Sequence, residues 1–156
     1  QLWREGVARK LCILNATRAG KDAIDANDMQ KAAYPGKIWY LDCADDLTKQ
    51  YALQHATALI EPSYDNGDGL TMFEAASNRL PIICSKPPGH FEIAGEHAMY
   101  FSQDVDSLAQ CVREFLRLRE LGQVANPSKT DLYTWDEAAN CISAMVINNT
   151  GWTYRE

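Results

Sequence analysis

The sequence has 156 residues, the size of one domain, with 46% apolar and 23% charged residues, a balance that sets it apart from disordered, collagen-like and membrane-embedded chains. Its 15 Lys and Arg against 21 Asp and Glu give a formal charge of -6, so there is no basic footprint for a nucleic-acid backbone. No apolar run approaches the roughly 18 residues that cross a bilayer and Gln1 opens no leader-like pattern, so a cytoplasmic location is expected.

In chain order, Leu11-Cys12-Ile13-Leu14 and Lys37 to Leu41 are short apolar runs bounded by turn residues, and both read as strands. From Asp45 to His55 the pattern turns helical, with Leu47, Tyr51 and Leu53 assigned to one face. Ala56 to Ile60 then reads as a strand stopped by Pro62. The rhythm repeats: a loop from Ser63 to Leu70, a helix from Thr71 to Arg79, a strand Pro81-Ile82-Ile83-Cys84 and a turn at Pro87-Pro88-Gly89. A short strand from Ala98 to Phe101 precedes a helix from Val105 to Leu121, where Leu108, Val112, Phe115 and Leu116 recur at helical spacing. A last helix, Thr134 to Ile147, carries an apolar stripe of Trp135, Ala138, Ala139, Ile142 and Met145. Strands alternating with helices predict an α/β, Rossmann-like three-layer sandwich on a mainly parallel sheet.

Ligands of parallel sheets bind outside the carboxyl ends of the strands, which singles out the loop after Ile60. It runs Pro62-Ser63-Tyr64-Asp65-Asn66-Gly67-Asp68-Gly69-Leu70-Thr71 and enters a helix whose first turns contain Glu74. Glycine permits close backbone approach, and the free N–H groups at a helix start suit a diphosphate. A carboxylate beside that anion hole can accept hydrogen bonds from ribose hydroxyls. A calcium loop is excluded, because with Gly69 at the sharp turn the first and last ligand positions would be Tyr64 and Ala75. Five cysteines with no close pair, Cys12, Cys43, Cys84, Cys111 and Cys141, point to buried thiols rather than a zinc site or a disulfide framework.

The stretch Ala58 to Ala75 resembles the signature of the large group of retaining, sugar-nucleotide-dependent glycosyltransferases that includes glycogen synthases: a strand, Pro-Ser, Glu-Gly-Phe-Gly-Leu-Pro, then a second Glu followed by Ala. Leu80 to Ser85, Gly89-His90-Phe91-Glu92-Ile93, Asp106 to Ala109 and Tyr133-Thr134-Trp135 continue the likeness, which covers Leu11 to Val146. The resemblance implies the C-terminal, donor-binding half of a GT-B fold over residues 1–147, lacking its first strand, with 148–156 as a tail. The implied reaction moves a sugar from a UDP-, GDP- or ADP-sugar to an acceptor hydroxyl with retention, as in polysaccharide or glycoconjugate synthesis. No cofactor or metal is expected. The implied partners are the nucleotide sugar and an N-terminal acceptor-binding domain, through which any peripheral membrane attachment would arise. Half a cleft implies an inactive fragment.

By the same resemblance Asn66 and Glu74 are the catalytic pair, with Glu74 on the ribose. Gly67, Asp68, Gly69, Leu70 and Thr71 face the phosphates and donor sugar, and Leu41 and Cys43 line the base. Three positions depart from the pattern: Asn66 replaces the first Glu and cannot offer a negative charge to a developing oxocarbenium, while Asp68 and Thr71 replace the Phe and Pro and make the loop more polar and more acidic. These departures keep open an inactive nucleotide-binding or scaffold module of the same fold, and a sugar-nucleotide epimerase-like enzyme is a third reading. The family's phosphate-binding Arg and Lys follow a strand that would precede Gln1, leaving Arg18 as the nearest substitute. Of the histidines, His55 reads as structural and His90 as able to reach the cleft. Tyr133 and Trp135 read as the staple that docks the last helix.

Overall fold

The computed structural model describes residues 2–14, 32–41, 44–63, 69–125, 127 and 134–148. Along these residues run β1 (Leu11–Leu14), β2 (Ile38–Leu41), α1 (Asp46–His55), β3 (Leu59–Glu61), α2 (Leu70–Ser77), β4 (Ile82–Ser85), α3 (Pro88–Ala94), a 3-10 turn (Gly95–His97), β5 (Met99–Phe101), α4 (Val105–Glu120) and α5 (Trp135–Asn148). Every strand pairing among them is parallel. Leu11 lies opposite Ile38 in the β1–β2 pair, while Leu59 pairs with Ile82 and Ile83 with Met99 in the order β3-β4-β5. The expected parallel α/β architecture is therefore present, with the described strands divided between two sheets rather than joined in one.

The core is organised around β4, all four of whose residues are buried. Successive side chains of a strand point to opposite faces. Ile82 and Cys84 accordingly join Leu53 of α1 and Met72, Ala75 and Ala76 of α2, while Ile83 joins Phe101, Cys111 and Phe115 on the α4 side. Each large apolar side chain buried in this way contributes about 1.5–3 kcal/mol. Burial pushes the Cys84 thiol up to about 12, with Cys111 and Glu61 adding smaller contributions.

Both ends of α2 are set by unusual backbone. Gly69 precedes it in the left-handed region at φ 61°. At the other end Arg79 N–H donates to Ala76 O at 2.9 Å and Leu80 N–H to Ala75 O at 2.9 Å, with Arg79 itself at φ 55°. That pair of reversed bonds satisfies the last carbonyls of the helix and turns the chain directly into β4. At the start of α4, Asp104 Oδ1 accepts from Ser107 N–H at 2.7 Å.

Four expectations need correction. The strand placed at Ala56 to Ile60 begins only at Leu59, because Ala56 N–H still donates to Ala52 O and closes α1. Pro87-Pro88-Gly89 is not a simple turn: Pro88 opens α3, where the missing N–H would have had no partner in any case. Leu47 and Tyr51 are 81% and 64% exposed against 4% for Leu53, since Leu53 lies about 200° around the helix from Tyr51. Trp135 does not dock the last helix, being 88% exposed on an α5 that has no buried residue; Tyr133 lies outside the described residues. What defines the start of α5 is a reciprocal cap, with Glu137 N–H donating to Thr134 Oγ1 and Thr134 N–H to Glu137 Oε2.

Candidate functional site

Gly69, Leu70 and Thr71 form the entry to α2, where the first helical bonds are Met72 N–H and Phe73 N–H to Gly69 O. The N–H groups of Leu70 and Thr71 meet no acceptor among the described residues, as expected for the first turn of a helix. Gly69 is buried, and a Cβ there would run into Ile93 Cδ1 and come within 3.2 Å of Met72 Cε. The left-handed backbone therefore favours glycine here whatever occupies the site, and a Cβ would in addition have to push aside the tip of Ile93.

Glu74 follows one turn into α2, partly buried. Its Oε1 accepts from Lys49 Nζ of α1 at 2.6 Å, and no described residue bonds Oε2. This hydrogen bond raises the Lys49 ammonium above its ordinary range. Glu74 lines a groove of about 460 Å³ between α1 and α2, together with Gln50, Gln54, Leu70, Phe73, Ser77 and Asn78. Gln50 Nε2 donates to Asn78 Oδ1 at 2.9 Å along this same seam. Glu61, at the end of β3, is engaged locally: its Oε1 accepts from Ser63 Oγ at 2.7 Å and from Ser63 N–H at 3.2 Å.

Ser63, the last described residue before the glycine-rich loop, is held by both neighbouring strand ends. Its carbonyl accepts from Ser85 Oγ at 2.5 Å and from Gln103 Nε2 at 3.3 Å. His90, 2% exposed, brings Nδ1 to 3.2 Å from Ser85 Oγ, and its Nε2 has no hydrogen-bond partner among the described residues. His90 thus sits buried on α3 against the carboxyl end of β4. His55 stacks on Tyr51 and bonds its carbonyl, in keeping with a structural role. Lys86 and Gln103 line a smaller cavity of about 260 Å³ at the ends of β4 and β5, with Pro87, Phe101 and Ser102.

Of the sequence-derived candidates, Glu74, Gly69, Leu70 and Thr71 come together at the start of α2, and half-buried Leu41 closes the carboxyl end of β2. Asn66, Gly67, Asp68, Cys43 and Arg18 lie outside the described residues. Among the described residues no group of three metal-ligating side chains converges and no helix is long and apolar enough to cross a membrane. Lys49 was not among the candidates. The only cue in the sequence is a lysine one turn into the preceding helix, and nothing local ties it to an acid 25 positions away.

The arrangement defines a parallel α/β domain with a glycine-entered helix start facing the strand ends and a carboxylate one turn beyond it. No protein-family model matches the chain. Among curated proteins it is similar to the serotype-specific mannosyltransferase WbdA of Escherichia coli, with 33% identity over 145 residues, 91% of this chain and 18% of that protein. A second WbdA from the same species aligns at 33% identity over 91% of the chain. The O-antigen chain mannosyltransferase B of Escherichia coli is 24% identical over 138 residues, 86% of this chain and 35% of that protein. These relatives are glycosyltransferases, and the chain spans less than a fifth of the length of the WbdA proteins it matches.

Proposed function

We propose that the chain is the donor-binding part of a glycosyltransferase that takes a sugar, mannose in the first instance, from a nucleoside diphosphate sugar and retains its anomeric configuration. The observation that carries this reading is the pairing, on one helix, of N–H groups at Leu70 and Thr71 that meet no acceptor among the described residues with a carboxylate at Glu74 whose Oε2 has no described partner. The helix start accepts the diphosphate, Glu74 accepts the ribose hydroxyls, and Leu41 and Cys43 line the base. Gly67, Asp68 and Gly69 bring backbone to the phosphates and the sugar, Asn66 hydrogen-bonds the sugar near the reacting carbon, and Arg18 supplies charge to the diphosphate. Alignment with mannosyltransferases along most of the chain supports the reaction class.

In this reading the chain itself supplies nucleotide binding and orientation, whereas the acceptor and the closure that excludes water come from a second domain. One feature favours a binding module without turnover: Asn66 in place of an acid cannot stabilise a developing positive charge as a carboxylate would. Calorimetric titration with UDP-, GDP- and ADP-sugars identifies the donor. Glu74→Ala should weaken its binding by about tenfold or more, because a hydrogen bond to a charged group is worth about 1.5–3 kcal/mol. Glu61→Ala, whose carboxylate is occupied by Ser63, should leave affinity near the parent value. Equal effects of the two substitutions would overturn the assignment.

A further inference from the structure

We propose that Lys49 is a positioning residue for the nucleotide site, fixing the Glu74 carboxylate and offsetting its charge so that Glu74 can accept ribose hydroxyls from an anionic ligand. The inference rests on the donor-site reading above. Lys49 Nζ lies 2.6 Å from Glu74 Oε1 and 3.9 Å from Asp46 Oδ1, with the Lys49 and Glu74 side chains about two-thirds buried. The contact engages one carboxylate oxygen and leaves Oε2 without a described partner.

A simpler role, stapling α1 to α2, is already filled by other groups. Leu53 of α1 is buried against Met72, Ala75 and Ala76, and Gln50 to Asn78 bridges the same two helices. A partly exposed ion pair adds about 0–1 kcal/mol to such a junction. Its electrostatic effect on a ligand is larger. A nucleoside diphosphate is an anion, and a bare carboxylate beside it is repulsive in a chain whose formal charge is already -6. An ammonium in contact with Glu74 removes that repulsion while keeping the carboxylate an acceptor. It also holds the side chain in one rotamer, lowering the ordering cost of binding.

The test compares a ribonucleotide with its 2′-deoxy counterpart, because only the ribonucleotide offers Glu74 the full diol. GDP, UDP and ADP are titrated calorimetrically into the 156-residue chain, and the tightest binder is carried forward with its 2′-deoxy form. Lys49→Met should reduce affinity for the ribonucleotide by about tenfold and shrink the preference for ribose over deoxyribose. Lys49→Arg should restore most of both. Thermal melting checks each variant, and Lys49→Gln is read instead if Lys49→Met melts below the assay temperature. An unchanged ribose preference, or tighter binding on losing the lysine, would overturn the proposal. Glu74→Gln separates the two levels: if it too leaves the ribose preference intact, or the parent binds none of the three nucleotides, the donor-site reading itself falls and the role of Lys49 falls with it.

Discussion

At the scale of single residues, Gly69 shows how one position can serve both fold and ligand. Its φ of 61° lies in the left-handed region, where an L side chain is strained by about 1–2 kcal/mol, and the added methyl group would displace the tip of Ile93. Gly69→Ala should therefore lower the free energy of unfolding by at least about 1 kcal/mol in urea titrations, moving the midpoint with little change in slope. Gly89 is the control: it lies within α3 with open space where a Cβ would go, so Gly89→Ala should not lose stability. Equal destabilisation at both positions would contradict the strain argument. The glycine was legible in the sequence because a turn leading into a helix advertises its backbone need. Lys49 was not, because its contact with Glu74 exists only once α1 and α2 have docked.

Among the elements, capping gives a pH dependence whose sign can be worked out. Asp45 Oδ1 accepts from Thr48 N–H at 2.7 Å at the start of α1, and hydrogen bonding by Thr48, through its side chain first and its backbone N–H second, holds the Asp45 carboxyl below its ordinary range. A folded-state value below the unfolded one means the stabilisation is complete above the unfolded value and is lost as the pH falls through the folded one. Glu137, held below its ordinary range chiefly by the Thr134 N–H, behaves in the same way at α5. Asp45→Ser keeps a cap but removes the titration, so its melting temperature should fall less steeply than the parent's on the acid side. Identical acid slopes would refute this. The elements also show what patterning reveals. α4 was legible because Leu108, Val112, Phe115 and Leu116 pack on one side against Ile83 and Phe101. α3 was hidden because Pro-Pro-Gly punctuates turns and helix starts alike. The face of α1 was misassigned because two-residue spacing cannot keep Leu53 beside Tyr51 on a helix.

Over the whole molecule, the sequence made the α/β class and its parallel pairing legible through strand–helix alternation, while the partition of strands into two sheets depends on long-range register that no local pattern encodes. The expectation of buried thiols holds for Cys84 and Cys111, whereas Cys12 and Cys141 are exposed and all four are free; Cys43 lies outside the described residues. With its thiol at about 12, Cys84 offers almost no thiolate at neutral pH. A thiol reagent should therefore modify Cys12 and Cys141 in the native protein, while Cys84 and Cys111 react only along the global unfolding curve. Early modification of Cys84 would show that the β4 core opens locally. The two residues that bracket the glycine-rich loop are held by the scaffold: Ser63 is tied to Ser85 and Gln103, and Gly69 is buried against Ile93. Ser63 and Gly69 are therefore two rims that belong to the scaffold. Rims anchored in this way leave the sequence between them free to diverge without the change being transmitted to the strands on either side.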